Sequence, residues 1–162
     1  MTLVTLKKVL DKAYNNGYAV GAFNVIDMTF LEAIIDAARQ KSSPVILNIA
    51  EVHFPFVTLE NIVPAIKAIA EREACDIVLN LDHGLTMQAI ERAIANGFTS
   101  IMFDGSGLSF EENIKQTTEV VRMCHARNIS VEAEVGAVGG AEGGKLIGAA
   151  DPAKYTDVKQ AG

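Results

Sequence analysis

Basic residues are scarce in this chain: 14 Lys and Arg stand against 20 Asp and Glu in 162 residues, a formal net charge of −6. No long basic face is present, which argues against a nucleic-acid binder. Cysteine is scarcer still. Cys75 and Cys124 form neither a CxxC pair nor a dense disulfide pattern, so a reducing compartment is expected. No apolar run reaches transmembrane length. The opening stretch MTLVTLKKVLDKAY mixes charges into its apolar positions, unlike a signal peptide. These absences lead to the expectation of a cytoplasmic, soluble protein with no membrane or nucleic-acid partner. Two nucleotide-site signatures are also missing. The first apolar segment is followed by NVIDM rather than a glycine-rich turn, and no Walker A string occurs, which lowers the Rossmann and P-loop readings.

What the chain does have is apolar. Hydrophobic residues make up 49% and the mean hydropathy is +0.23, enough to bury a sizeable core in one domain. Strands buried on both faces account for such a composition, as does a chain lacking a partner surface.

A repeating unit runs along the sequence. Leu6, Leu10, Ala13 and Tyr14 recur at helical spacing, and Gly17 suits the helix end. An apolar strand over 19–25 follows. Thr29 and Glu32 have capping-box spacing and predict a helix to about Gln40. The segment 44–50 reads as a strand, and Thr58 as the cap of a helix whose first turn Pro64 should make irregular. Strands over 75–81, 98–103 and 129–135 alternate with helices over 86–96 and 110–127, the last opened by Ser109 and Glu112. Five such alternations with short connections predict a parallel sheet with right-handed crossovers. A barrel and an open doubly wound sheet both satisfy that rhythm.

Polar residues gather where these strands end. Asn24 ends the first, Asp82 and His83 the third, Asp104 the fourth, and Glu132 and Glu134 share one face of the fifth. Barrel enzymes carry their chemistry at such positions. Any one of these residues alone is as readily a turn or cap residue, and Glu132 alone as readily a paired core charge. The joint pattern favours a site. His83 among carboxylates suits a borderline divalent ion such as Zn²⁺, and Asp82 beside it suits proton transfer. His53, in a loop beside aromatics, reads as packing or surface. His125 reads as a helix-end residue and Cys124 as core. Gly136, Gly139, Gly140, Gly143, Gly144 and Gly148 crowd the segment after the fifth strand. They read either as a surface loop or as a mobile active-site loop over 137–154 that brings in Glu142.

At these same residues the chain resembles a known family. GAFNV (21–25), LNLDHG (79–84), SIMFDGS (100–106) and VEAEVGAVGGAEGG (131–144) look like successive strand ends of the class II, metal-dependent fructose- and tagatose-bisphosphate aldolases. The resemblance extends to YTD at 155–157. It implies a (β/α)8 TIM-barrel-type fold, of which about the first five β/α units are present, so that residues 1–162 form a partial barrel domain. It implies His83 as a zinc ligand, Asp82 as the proton donor in cleavage, and Asp104 near the metal. It further implies Glu134 as an alternative metal ligand, Glu142 as the base acting on the triose, and Asn24 near the substrate. The implied cofactor is one catalytic Zn²⁺, with a second cation as an option. The implied lyase reaction is the glycolytic kind: reversible retro-aldol cleavage of fructose- or tagatose-1,6-bisphosphate to glycerone phosphate and glyceraldehyde 3-phosphate. The partner is then a phosphorylated ketose, and a homo-oligomer is expected.

Two departures stand out. Asn80 occupies a position where family members usually carry histidine, and NIAEVHFPF replaces the usual Ser- or Gly-rich segment after the second strand. The family pattern also looks like three metal-binding histidines, of which only the first matches here. The 162-residue chain alone is therefore expected to be inactive. The alternative to an aldolase is a catalytically incomplete fragment or a non-catalytic structural module on the same fold.

Overall fold

The computed structural model describes residues 3–136, 140–142, 145–147 and 155–161. Helix α1 (Leu6–Asn16) begins at Thr5, whose hydroxyl accepts from the Lys8 amide, and ends at Gly17 with φ 68°. Only glycine takes that left-handed conformation without strain. Its buried face is Leu6, Val9 and Ala13. Leu10 and Tyr14, expected on that face, are exposed, because the helix meets its neighbours through a narrower stripe than the spacing predicts.

Five strands follow: β1 (Gly21–Asn24), β2 (Val45–Ala50), β3 (Ile77–Gly84), β4 (Ser100–Phe103) and β5 (Ser130–Ala133). They form one sheet in the order β1-β2-β3-β4-β5, every pair parallel. The five parallel strands predicted from the sequence are borne out. Between them lie α2 (Met28–Lys41), α3 (Leu59–Ala70), α4 (Met87–Asn96) and α5 (Phe110–His125). Each strand is adjacent in the sheet to the next one in the chain, the winding of a β/α barrel.

Local chemistry explains most boundaries. Ser109 accepts from the Glu112 amide, as its spacing predicts, and Thr86, read as the first helical residue, instead caps α4 by accepting from the Ala89 amide. Helix α2 corrects the expectation: its cap is Asp27, which accepts from the Phe30 amide, not Thr29. Aspartate is an equally good N-cap, and the capping-box spacing misplaced the start by two residues. Thr58 holds the cap position of α3 without a side-chain bond, and α3 runs as regular helix through Pro64. Pro64 is the sixth of the twelve residues of α3, beyond its first turn, so the backbone donor it lacks falls in the body of the helix rather than in that turn.

The two faces of the sheet differ in character. One carries Leu47, Ile49, Leu79, Leu81, Ile101 and Phe103, buried under Leu31, Ile35, Ile66, Ile90 and Val120 of the helices. On the other, Ile46 and Val78 meet Leu6 and Val9 of α1, which closes the N-terminal end of the sheet. The Lys7 amide fixes α1 there by donating to Ser130 Oγ at 3.0 Å. Above that apolar floor the register aligns Asn24, Asn48, Asn80, Ser100 and Ser130 in one row. Asn80 Nδ2 donates to Asn48 Oδ1 at 3.1 Å within it.

Across the outer layer, Arg92 of α4 grips Glu60 of α3 with two hydrogen bonds, at 2.9 and 2.7 Å, and lies 5.3 Å from the Phe54 ring centroid. After β5, two short antiparallel strands, β6 (Gly140–Glu142) and β7 (Lys145–Ile147), pair with each other. The rest of the 137–154 segment, expected to be mobile, lies outside the described residues. Thr156 Oγ1 donates to the Val135 carbonyl at 2.7 Å, bringing the YTD segment back to the end of β5.

Leu79→Ala, at a fully buried position, is expected to lower unfolding free energy by about 2–5 kcal/mol in urea denaturation. The Arg92 guanidinium holds the Glu60 carboxyl down to about 2 from its ordinary 4.5. A depressed carboxylate stabilises the fold above its unfolded value and loses that contribution as pH falls through the folded one. The Glu60 contribution is therefore expected to be complete above about 4.5 and to fade towards about 2. A ¹³C NMR titration of Glu60, repeated in Arg92→Ala, checks this: the midpoint returns to the ordinary carboxylate range in the variant.

Candidate functional site

Strand β3 runs to Gly84, past the boundary at Leu81 that its apolar run predicts. Its pairing with β4 explains the extension. Leu81 pairs with Ile101 and Gly84 with Phe103, so three steps on β3 match two on β4. The extra residue is a bulge, a feature that re-aims side chains. His83 lies in it with φ 45°, a left-handed conformation for a residue with a side chain. Such a residue costs about 1–3 kcal/mol and persists only where its surroundings hold it. Gly84 is one such restraint. Its carbonyl accepts from the Asp104 amide at 3.0 Å, and a Cβ there would stand 2.8 Å from Leu81 Cδ2 and 2.9 Å from the Met102 carbonyl oxygen.

Asp104 immediately follows β4. Its Oδ1 accepts from the Ser106 amide at 3.0 Å and the Ser106 hydroxyl at 2.6 Å. Oδ2 is left facing His83 Nδ1 at 3.0 Å. Burial pushes the Asp104 carboxyl up, but the hydrogen bonds from Ser106 and His83 outweigh it and hold the group below the usual carboxylate range. Glu134 stands just past β5, and its Oε2 is 3.6 Å from the same His83 nitrogen. Its backbone is tied down by Asn113 of α5, whose Nδ2 donates to the Glu134 carbonyl at 2.8 Å. Asn113 also packs so closely on Gly105 that no Cβ fits there.

Other charges surround this group. Desolvation lowers the pKa of His83, yet the Asp104 hydrogen bond and the charges of Asp82, Asp104 and Glu134 raise it further, leaving it above its ordinary value. Glu132 is pushed up by desolvation and by the Asp82 carboxylate. Asp82 thus acts electrostatically on both His83 and Glu132.

His83, Asp104 and Glu134 each offer a ligand atom within 4.8 Å of the others, and they are the group of three or more such residues found among the described residues. The donor set fits a divalent ion. Ligand atoms around a tetrahedral ion with ~2.1 Å bonds lie roughly 3.4 Å apart, and three protein ligands leave one open position. The 3.0 and 3.6 Å separations at His83 Nδ1 bracket that spacing. Asn24 ends β1, exposed, at the edge of the sheet away from β5. The side chain of Glu142 lies outside the described residues. His53 sits in a short 3-10 turn and His125 at the last position of α5, both outside the cluster.

Three supporting residues had escaped the sequence reading. Ser106 was open to it, since an aspartate followed two positions later by serine is a local turn signature. Asn113 and Glu51 were not, because each acts on backbone more than twenty residues away in the chain.

The winding of the sheet and the donors at its C-terminal strand ends define an α/β barrel-type protein, present through its first five units. Comparison with known proteins gives the family. The chain matches the family model described as "Fructose-bisphosphate aldolase class-II" over residues 4–162, and it belongs to the class II fructose-bisphosphate aldolase family. It is 42% identical over 164 aligned positions to the 6-phospho-5-dehydro-2-deoxy-D-gluconate aldolase of Halalkalibacterium halodurans, covering 99% of this chain and 55% of that one. It is 40% identical to the fructose-bisphosphate aldolase of Geobacillus stearothermophilus, covering 88% of this chain and 50% of that one. Among solved structures, the YdjI aldolase from Escherichia coli K12 superposes with a TM-score of 0.85 at 32% identity, over 98% of this chain and 56% of that one. The chain spans about half the length of these relatives. No described helix is long and apolar enough to cross a membrane.

Ser106→Ala removes the hydroxyl donor to Asp104 Oδ1. Because that bond favours the charged form, the Asp104 carboxyl is expected to titrate at higher pH in the variant, read by ¹³C NMR in the metal-free chain.

Proposed function

We propose that these residues form the metal-binding and proton-transferring part of a class II ketose-bisphosphate aldolase, with Zn²⁺ as the ion. The observation that carries the reading is the convergence of His83, Asp104 and Glu134 at the C-terminal ends of three strands. In this reading those three residues hold the ion. When bound, a divalent ion supplies Lewis acidity towards a substrate carbonyl.

The chain's own residues supply the rest. In the metal-free chain Asp104, kept ionised by the Ser106 and His83 hydrogen bonds, orients the His83 ring through Nδ1, the atom that would face the ion. Asp82 precedes that histidine on β3 and exchanges the proton of the hydroxyl at the cleaved bond, taking it as the aldehyde forms and returning it in the condensation direction. Its charge neighbour Glu132 is pushed up by desolvation and by the Asp82 carboxylate. Asn24 binds substrate from the end of β1, and Glu142 is the base acting on the triose.

The substrate class is a phosphorylated ketose, with fructose- and tagatose-1,6-bisphosphate as the first candidates. The relative named for a 6-phospho-5-dehydro-2-deoxy-D-gluconate substrate supports including that sugar acid. The sequence EVHFPF after β2, where the family usually has a Ser- or Gly-rich segment, supports testing beyond bisphosphates. Protein expressed from these residues is placed in the cytoplasm and as a homo-oligomer. The described sheet leaves β1 and β5 as open edges, which favours association. Because only His83 matches the three histidines of the family pattern, and because those edges stay open, residues 1–162 alone are read as a partial domain that binds metal without turning over.

A paired assay tests this. Zn²⁺ binding is measured by calorimetry beside cleavage of the three sugars, using the 162-residue chain and a family-length protein that contains it. The chain is expected to bind Zn²⁺, and the family-length protein to turn over at least one of the sugars. His83→Ala is expected to abolish binding in both. Asp82→Asn is expected to keep binding and to slow turnover of the family-length protein by about 10²–10⁴-fold, the range for loss of a proton-transfer group. Binding undiminished in His83→Ala overturns the site. A metal-free, inactive protein at both lengths favours a structural module instead.

A further inference from the structure

The left-handed turn at His83 needs an anchor on its far side, and the structure places one there. Glu51 immediately follows Ala50, the last residue of β2, which pairs with Asp82 in the sheet. Its carboxylate reaches across to the segment after Gly84. Oε2 accepts from the Leu85 amide at 2.5 Å and the Thr86 amide at 3.0 Å, and Oε1 accepts from the Thr86 hydroxyl at 2.7 Å.

Helix capping does not account for all of this. Helix α4 already has a cap in Thr86, whose hydroxyl accepts from the Ala89 amide at 3.1 Å. The Leu85 amide lies before the helix, in the turn itself. A carboxylate on that amide fixes the path of the chain between Gly84 and α4, and charge-assisted bonds of this kind are the stronger ones. The turn is then held on both sides. Gly84 is bonded to Asp104 on the β4 side, and Leu85 and Thr86 are bonded to Glu51 on the β2 side. Between the two restraints the imidazole of His83 faces Asp104 and Glu134.

We propose that Glu51 is a positioning residue for His83, holding through the backbone amides of Leu85 and Thr86, not through the Thr86 hydroxyl, the bulged turn that aims the imidazole at Asp104 and Glu134. The functional side of this inference rests on the metal-site reading given under Proposed function. Its structural side does not, and the experiment separates the two.

Three variants are compared with the 162-residue chain: Glu51→Gln, Glu51→Asp and Thr86→Val. Glu51→Gln keeps the shape but loses the charge and one acceptor. Glu51→Asp keeps the charge but withdraws it by one methylene, and it carries the test if the glutamine variant does not fold. Thr86→Val weakens the start of α4 while leaving the carboxylate on the two amides. Three quantities are read: the ¹⁵N and ¹H signals of the His83 ring in the metal-free chain, Co²⁺ affinity with its visible absorption spectrum, and the thermal midpoint. Both Glu51 variants are expected to shift the His83 ring signals and to weaken Co²⁺ binding by about 10–100-fold, the range for supporting residues around metal sites. Thr86→Val is expected to lower the thermal midpoint at least as much as the Glu51 variants, with His83 signals and Co²⁺ affinity close to those of the parent chain. Glu51 variants with parental ring signals and parental Co²⁺ affinity overturn the proposal. So does a Thr86→Val variant that shifts both as far as they do. If the parent chain binds no Co²⁺, the metal reading fails, and the ring signals alone still decide whether Glu51 positions His83.

Discussion

The site depends on the path of the chain between Leu81 and Thr86. A regular strand would alternate Asp82 and His83 to opposite faces of the sheet. The bulge against β4 inserts one extra residue, and the left-handed turn at His83 brings the imidazole to the end of the sheet, where Asp104 and Glu134 arrive from the next two strands. A conformation of this kind is unfavourable in isolation. It is held by neighbours from other parts of the chain: the tight seat of Gly84 against Met102 and Leu81, its bond to Asp104, and the Glu51 carboxylate from β2. Contacts from β4 and β2 thus maintain the strained geometry at the rim of the sheet.

Charge follows from that geometry. One imidazole lies among the carboxylates of Asp82, Asp104 and Glu134, with Glu132 close to Asp82. The groups respond differently. Asp104 is held ionised by hydrogen bonds, Glu132 is driven towards its neutral form by desolvation and a like charge, and His83 is drawn towards its cationic form. Groups of one chemical type pushed in opposite directions are characteristic of sites that bind cations or move protons. The cluster sits above a polar row of asparagine and serine and, below that, an apolar floor sealed by α1. The polarity of the inner face therefore rises towards the strand ends where the donors converge.

Much of this was legible in the sequence. Short apolar runs separated by helical periodicity pointed to all five strands and their helices; burial explains that signature for β2, β3 and β4, whereas β1 and β5, exposed or half-buried at the sheet edges, carry it without that burial. The cap at Ser109 and the glycine end at Gly17 were equally local. Where the reading slipped, a second nearby residue or the tertiary environment had decided. Asp27 displaced Thr29 as a cap, and α1 turned Leu10 and Tyr14 to solvent. The grouping of His83, Asp104 and Glu134 was anticipated because parallel strands deliver their C-terminal residues to one end of a sheet, so strand-end position alone constrains who can meet.

The sequence by itself determined the β/α rhythm, the end of the sheet that carries the polar groups, and the family to which those groups belong. Each of these rests on patterns a few residues long or on residue identity. Only the tertiary structure decided how the cluster is held. The bulge exists because β3 and β4 fall out of step, a relation between segments about twenty residues apart. The hold of Glu51 on Leu85 and of Asn113 on Glu134 spans 34 and 21 residues. Such contacts leave no periodicity or spacing in the chain. They follow from the register and twist of a packed sheet, which bring distant backbone amides and carbonyls within reach of a single side chain.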